Sequence, residues 1–327
     1  MNNSQKYSRS RYQKIRELGR NSTEGRVTYL MKDNVTEKSV VVKQFQFAKS
    51  NSNWSGLKAY EREIQVLSSL EHSGIPRYLN SFETSDWFCL VQEYKKAPSL
   101  AVKNKFNPEQ IKEIAISILE ILIYLQNRIP PVIHRDIKPE NILVDEQLNV
   151  YLVDFGLARI GIGEGAMSSV AAGTFGFMAP EQIYNRSLSN ATDLYGLGAT
   201  LICLLTETKS NNIETLIDDN GYINFQPLVT HLSKPFINWL EKMVRPKQKD
   251  RYSSAEVALS ELLPLTITAL PDVNLSHNYL KFRFTQINSK LTKNIVVNNS
   301  IPQTLLKGKW QVAPHLKDLP HQPDNHS

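Results

Sequence analysis

Between Val132 and Gly156 the chain reads VIHRDIKPENILVDEQLNVYLVDFG, which gathers the side chains best suited to chemistry. Asp136, Asn141 and Asp154 supply two carboxylates and an amide, with Lys138 among them. Ile142-Leu143-Val144 and Val150-Tyr151-Leu152-Val153 are apolar runs rich in branched residues, and Asp145 to Asn149 between them has the composition of a turn. That pattern predicts a hairpin of two short strands. A hairpin brings the residues before its first strand beside those after its second, so Asp136, Asn141 and Asp154 should meet. Their oxygens suit a hard cation such as Mg²⁺, which keeps waters and substrate phosphates in its shell.

These residues also carry a resemblance. His134-Arg135-Asp136-Ile137-Lys138-Pro139-Glu140-Asn141, followed by Asp154-Phe155-Gly156, resembles the catalytic core of the eukaryotic-type protein kinases. The family pattern is H-R-D-L-x-x-x-N and then D-F-G, with Ile137 here a like-for-like apolar change. Lys138, two residues after Asp136, is similar to the serine/threonine branch. The resemblance runs over roughly residues 12 to 263, and stretches such as LGRNSTEGRVTYL and WSGLKAYEREIQVL look like serine/threonine kinases of cyanobacteria.

The resemblance implies an α+β, bilobed protein-kinase fold with a small β-rich N-lobe and a larger α-rich C-lobe. It implies transfer of the γ-phosphoryl of ATP to Ser or Thr hydroxyls of protein substrates, in signalling, with ATP and Mg²⁺ at the site. Asp136 then orients the substrate hydroxyl and accepts its proton, and Lys138 neutralises charge on the moving group. Asn141 and Asp154 hold Mg²⁺, and Lys43, held by Glu63, positions the α- and β-phosphates. The alternative is a pseudokinase that acts as a nucleotide-binding or scaffold module. The presence of Lys43, Glu63, Asp136, Asn141 and Asp154 together weighs against it.

Several elements must position these groups. Tyr12 to Val42 alternates as strands with turns, and Val40-Val41-Val42-Lys43 matches the V-A-I-K strand of the family. Before it, Leu18, Gly19, Gly25 and Val27 occupy the place of the Gly-rich loop that covers the ATP phosphates. This loop departs from G-x-G-x-x-G-x-V: Asn21 stands at the second glycine, and Gly25 and Val27 come one residue late. Asn tolerates left-handed backbone angles, so a turn still forms. Leu57, Tyr60, Ile64 and Leu67 recur at helical spacing and predict a helix over Leu57 to Leu70, with Glu63 beside the buried stripe. Two strands follow, Arg77 to Glu83 and Trp87 to Tyr94. By resemblance Gln92 is the gatekeeper and Glu93, Tyr94 and Lys95 form the hinge that takes the adenine edge, with Val27, Val41 and Leu143 as apolar walls. Asn107-Pro108-Glu109-Gln110 starts a helix, with Asn as cap, Pro in the first position and Gln at the third. Its apolar residues lie nearly all round, which predicts a core helix.

After Gly156 the chain is rich in glycine up to Ala179-Pro180-Glu181, which matches the A-P-E closing the family's activation segment. Thr174 stands where serine/threonine kinases keep a threonine against the catalytic Asp and Lys. Arg135 is the residue by which such kinases couple activity to a phosphate on that segment, and Ser168 and Ser169 are the acceptors the resemblance suggests. Asp193 corresponds to the aspartate that anchors the catalytic loop, and Arg251 to the arginine that pairs with Glu181 in a buried ion pair.

Composition sets the remaining bounds. The chain has 327 residues, 41% of them hydrophobic, and two cysteines, Cys89 and Cys203, both within apolar runs. A disulfide framework is not expected, and a reducing, cytoplasmic setting fits. No run approaches the roughly 20 apolar residues of a membrane span. The net charge of +6 sits at the ends: residues 1–16 carry five Lys/Arg and no acid. The plain reading is solvated ends, and no aromatic-plus-basic pattern points to a specific nucleic acid. The expected domains are a basic arm at 1–11, a kinase domain at 12–265, a β-rich module at 266–315 that either packs on the kinase or is incomplete, and a disordered tail at 316–327. The module is expected because Leu280, Phe282 and Phe284, then Ile295 and Val297, then Leu306, Trp310 and Val312 alternate with polar residues.

Overall fold

The computed structural model describes residues 11–21, 25–46, 54–84, 86–103, 105–161 and 173–268, with backbone only for 54–59. Five strands, β1 (Tyr12–Asn21), β2 (Arg26–Asp33), β3 (Ser39–Gln46), β4 (Tyr78–Glu83) and β5 (Trp87–Glu93), form an antiparallel sheet in the order β1-β2-β3-β5-β4. The central strand β3 is built from Val40, Val41 and Val42, all buried, as expected of a strand covered on both faces. The edge strand β1 is almost wholly exposed, charged, and interrupted by register shifts at Lys14/Arg16 and Glu17/Gly19. Charges and bulges of this kind discourage pairing with another sheet edge.

Helix α1 (Trp54–Ser68) lies between β3 and β4 in the chain. It starts earlier than the spacing suggested and ends two residues sooner, although Leu70 is still buried. Tyr60, Val66 and Leu67 pack into the main core with Phe45 of β3. Ile64 is only half-buried, because the face that turns inward is centred on Glu63, which is fully buried. The other face of the sheet has its own small cluster of Tyr12, Met31, Val40, Val42, Cys89 and Val91.

The rest of the described chain is mainly helical. Helix α2 (Pro108–Gln126) begins with a reciprocal capping box: Asn107 accepts from the Gln110 N–H and Gln110 accepts from the Asn107 N–H. Its Ile111, Ile114, Ile118, Leu122 and Leu125 are buried. Short α3 (Pro180–Ile183) precedes α4 (Ala191–Thr206), which is buried along nearly its whole length. Helices α5 (Lys234–Met243) and α6 (Ala255–Leu262) pack beside it, both N-capped by serine side chains. Two small antiparallel pairs sit at the site: β6 (Val132–Ile133) with β9 (Arg159–Ile160), and β7 (Ile142–Val144) with β8 (Val150–Leu152).

Packing of the helical body continues through the first residues of the expected β-rich module. The Ser233 N–H donates to Ile267 O at 2.7 Å, Leu232 bridges to Thr268, and Ile267 is buried. The expected strands beyond Leu280, the tail and nearly all of the basic arm lie outside the described residues. Both cysteines are buried and unpaired, and burial pushes their thiols up to about 12. Among the described residues no helix is long and apolar enough to cross a membrane.

Candidate active site

The loop from His134 to Asn141 is held from below. β6 delivers the chain to His134, and the backbone N–H groups of His134 and Arg135 donate to the two carboxylate oxygens of Asp193 at 2.7 and 2.8 Å. Asp193 lies in the first turn of α4. Burial pushes its carboxyl up, against the pull of His134 and of those two N–H groups. Helix α4 can approach this closely because residue 196 is glycine: a Cβ there would lie 2.8 Å from the Ile137 carbonyl oxygen. The loop turns sharply, with Arg135 at φ 70°, and its carbonyl accepts from Gln182 Nε2 at 2.9 Å.

His134 is packed edge-on against Phe155, with ring centroids 4.7 Å apart. Its Nε2 meets Val153 O at 3.1 Å and its Nδ1 accepts from the Asp136 N–H at 3.3 Å. Such partners require a neutral ring, and burial holds the imidazole below its ordinary value despite Asp193 and Asp136 nearby.

Three side chains converge on Asp136. Asn141 Nδ2 donates to Oδ2 at 2.8 Å and also to the Asp136 carbonyl at 2.9 Å. Lys138 Nζ lies 2.9 Å from Oδ2. Thr174 Oγ1 donates to Oδ1 at 3.2 Å and itself accepts from Lys138 Nζ at 2.6 Å. Asp136 is therefore nearly buried, fixed on both oxygens, and supported by residues far apart in the chain.

Asp154 has a different set of partners. Lys43 on β3 contacts Glu63 of α1 and also reaches Asp154 Oδ1 at 3.1 Å. Arg26, the first residue of β2, forks onto Asp154 with Nη1 to Oδ1 at 3.0 Å and Nη2 to Oδ2 at 2.9 Å. Thus the three residues expected to share one cation are divided, with Asn141 turned to Asp136 and Asp154 given to two cationic side chains. The hairpin still joins their backbones, since the Val153 N–H donates to Asn141 O at 2.9 Å. Burial pushes Glu63 up, with Lys43 opposing. Burial pushes Asp154 the same way, but Lys43 and Arg26 more than reverse it and hold its carboxyl well below the usual range.

The residues present fit a magnesium nucleotide. Asn141 gives both amide hydrogens to Asp136, which leaves its amide oxygen for a cation beside the Asp154 carboxylate, and both are the hard oxygen donors Mg²⁺ takes. Gln92 on β5 is buried with Oε1 unpartnered, an acceptor suited to an exocyclic amino group. Val27 and Val41 are buried and Leu143 half-buried, Val41 being paired with Gln92 and Val27 with Gln44. At the hinge, Glu93 pairs with Lys95 at 3.0 Å, Lys95 lies over the Tyr151 ring, and Tyr94 is half-buried. Leu18 is exposed, Gly19 pairs with Thr28, and Gly25 turns at φ 62°, while the tip of the loop between Asn21 and Gly25 lies outside the described residues.

Two further features complete the site. Arg251 uses all five donors: two go to the Glu181 oxygens at 2.8 Å each, and the others go to the carbonyls of Ala191, Arg245 and Pro246. Arg135 lies near Arg62 of α1 and Arg159 of β9. Burial and then these two like charges hold its guanidinium below its ordinary value, and its Nε is buried without a hydrogen-bond partner. Arg62 and Arg159 were not legible as site residues, because they are distant in sequence and resemble any surface arginine. Arg26 was missed for the same reason, although its place directly after Gly25 was a usable signal. Ser168 and Ser169 lie outside the described residues.

The family model described as protein kinase domain matches residues 12–263. The chain belongs to the protein kinase family. Its five-stranded sheet and helical body are the two lobes of the bilobed kinase fold. Similar curated proteins are serine/threonine-protein kinase D of Synechocystis, 37% identical over 77% of this kinase and 52% of its own length, and kinase F of the same organism, 30% identical over 77% and 54%. PknA of Nostoc is 29% identical over 80% of this kinase and 48% of its own length. The kinase thus spans about half the length of these relatives.

Proposed function

We propose that this kinase transfers the γ-phosphoryl of ATP to Ser or Thr hydroxyls of protein substrates. The observation that carries the reading is the closed set around Asp136, where Lys138 and Thr174 bond to each other and to one carboxylate. Thr174 belongs to the segment that ends at Glu181, so the catalytic carboxylate and the segment that would receive a peptide are tied together. Asp136 accepts a hydrogen bond from the incoming hydroxyl and takes its proton as the new O–P bond forms and the bond to the β–γ bridging oxygen breaks, leaving ADP. Lys138 offsets charge on the transferred group. Asn141 and Asp154 would hold Mg²⁺, which when bound neutralises phosphate oxygens. Lys43, buried against Glu63, stands ready for the α- and β-phosphates, and Gln92 and the hinge for the adenine. Because the transition state is loose, most of the catalysis comes from such positioning and charge placement.

Regulation belongs to the same reading. A phosphate on Ser168 or Ser169 would supply an anion for Arg62, Arg135 and Arg159, which form no ion pair among the described residues, and would tie the segment that ends at Glu181 to them. Arg135 shares its carbonyl with Gln182 and its N–H with Asp193, so such a contact would bear on the catalytic loop directly.

The test uses purified chain, labelled ATP with Mg²⁺ and a generic protein substrate, followed by phosphoamino-acid analysis and mass spectrometry of residues 162–172. Phosphoserine or phosphothreonine is expected. Asp136→Asn should lower transfer by about 10²–10⁴-fold while nucleotide still binds. An undiminished rate in that variant, or phosphotyrosine alone in the wild type, would overturn the reading.

A further inference from the structure

Both oxygens of Asp154 are occupied in this structure. Arg26 takes one with each prong of its guanidinium, and Lys43 shares Oδ1. The carboxylate itself is not free to adjust. Asp154 is held in the left-handed region at φ 68°, and the next residue, Phe155, is fully buried under His134. Lys43 is fixed from the other side by Glu63, in a fully buried contact. The Arg26 backbone is held as well, paired with Asn21 of β1 and Phe45 of β3. The Arg26 guanidinium sits at the end of a long stem with several rotatable bonds, so it can reach a second anion without moving its backbone.

A divalent cation that uses Asp154 needs at least one of these oxygens. We propose that Arg26 is the resting counter-cation of Asp154, that it competes with Mg²⁺ for this carboxylate, and that on nucleotide entry its guanidinium passes to the phosphate oxygens. The charges favour such an exchange. At rest, Lys43 and Arg26 place two positive charges beside the Glu63 and Asp154 carboxylates. When metal and polyphosphate arrive together, the carboxylate gains a divalent partner and the released guanidinium gains an anion whose geometry suits its fork. Position favours it too, since Arg26 directly follows Gly25 in the stretch whose sequence matches the phosphate-covering loop of the family. Arg26 is thus a positioning residue whose effect is felt as the metal dependence of nucleotide binding.

The inference rests on Asp154 being the metal carboxylate, and the experiment separates the two. Binding of a fluorescent ADP analogue to the full chain is followed across a Mg²⁺ titration for the wild type, Arg26→Gln, Arg26→Lys and Asp154→Ala, with a thermal melt of each to verify folding. Removing a competing ion pair of this kind should lower the half-saturating Mg²⁺ of Arg26→Gln by about three- to fivefold. Affinity without Mg²⁺ should fall by a similar factor, because a positive charge near the phosphates is lost. Arg26→Lys should lie between the two, having charge but no fork. A Mg²⁺ midpoint unchanged in both Arg26 variants, with the wild type responsive to Mg²⁺, overturns the exchange alone. A wild type indifferent to Mg²⁺, or an Asp154→Ala protein with undiminished Mg²⁺ response, overturns the role of Asp154 and the exchange with it.

Discussion

The two sides of the cleft hold their charges in different ways. On the helical side, Asp193 and Arg251 are bound to fixed groups: backbone N–H groups for the one, a carboxylate and three carbonyls for the other. Where the sheet meets that floor, Lys43 bonds to Glu63 and Asp154 and Arg26 forks onto Asp154, while one Glu63 oxygen is buried and unpaired. These charges can change partners. The floor under the catalytic loop is built from groups paired to the main chain, whereas the cluster beside the sheet is built from side chains paired to each other.

The contrast is sharpest for its two arginines. Arg251→Met leaves the Glu181 carboxylate buried without its partner and should cost about 3–5 kcal/mol of stability. Arg26→Gln leaves Asp154 still paired with Lys43 and should cost under about 1 kcal/mol. Denaturant melts of both variants check this, and equal losses would erase the distinction between fixed and exchangeable charges. A smaller effect is expected where helix α4 meets the catalytic loop. Gly196→Ala would press a methyl onto the Ile137 carbonyl, a backbone group that cannot swing aside. Overpacking of this kind costs about 1–3 kcal/mol, and the loop that carries Asp136 should shift with it. Transfer rate should drop while nucleotide affinity holds. A variant with wild-type turnover would show that the loop tolerates displacement.

Another small effect is with pH. His134 and His72 are both held below their ordinary 6.5, chiefly by burial. The Nδ1 of each accepts a backbone N–H, from Asp136 and Gly74 respectively, which a second proton would abolish. The unfolded chain binds protons to these groups below about 6.5 while the folded chain does not, so stability should fall as pH drops through that value. A loss of about 1 kcal/mol between pH 6.5 and 5.5 is the expected size, read as a lower melting temperature. A flat profile would mean that these rings accommodate the charged form.

The sequence by itself determined the elements and the residues of the helical floor. The alternation in Ile142 to Val153 specified the hairpin, the Asn107 to Gln110 pattern specified the cap of α2, and fixed motifs identified Asp136, Asn141, Thr174, Asp193 and the Glu181–Arg251 pair. These are local patterns or single-purpose positions, so their spacing carries the information. Only the tertiary structure decided which cations meet Asp154 and which arginines gather at Arg135. Arg26 and Asp154 are 128 positions apart, and Arg62, Arg135 and Arg159 come from a helix, a loop and a strand. Long charged side chains have no period in sequence to betray their partners. Their choice is made by the close approach of the two lobes, where a carboxylate removed from water takes whichever guanidinium or ammonium the fold places within about 3 Å.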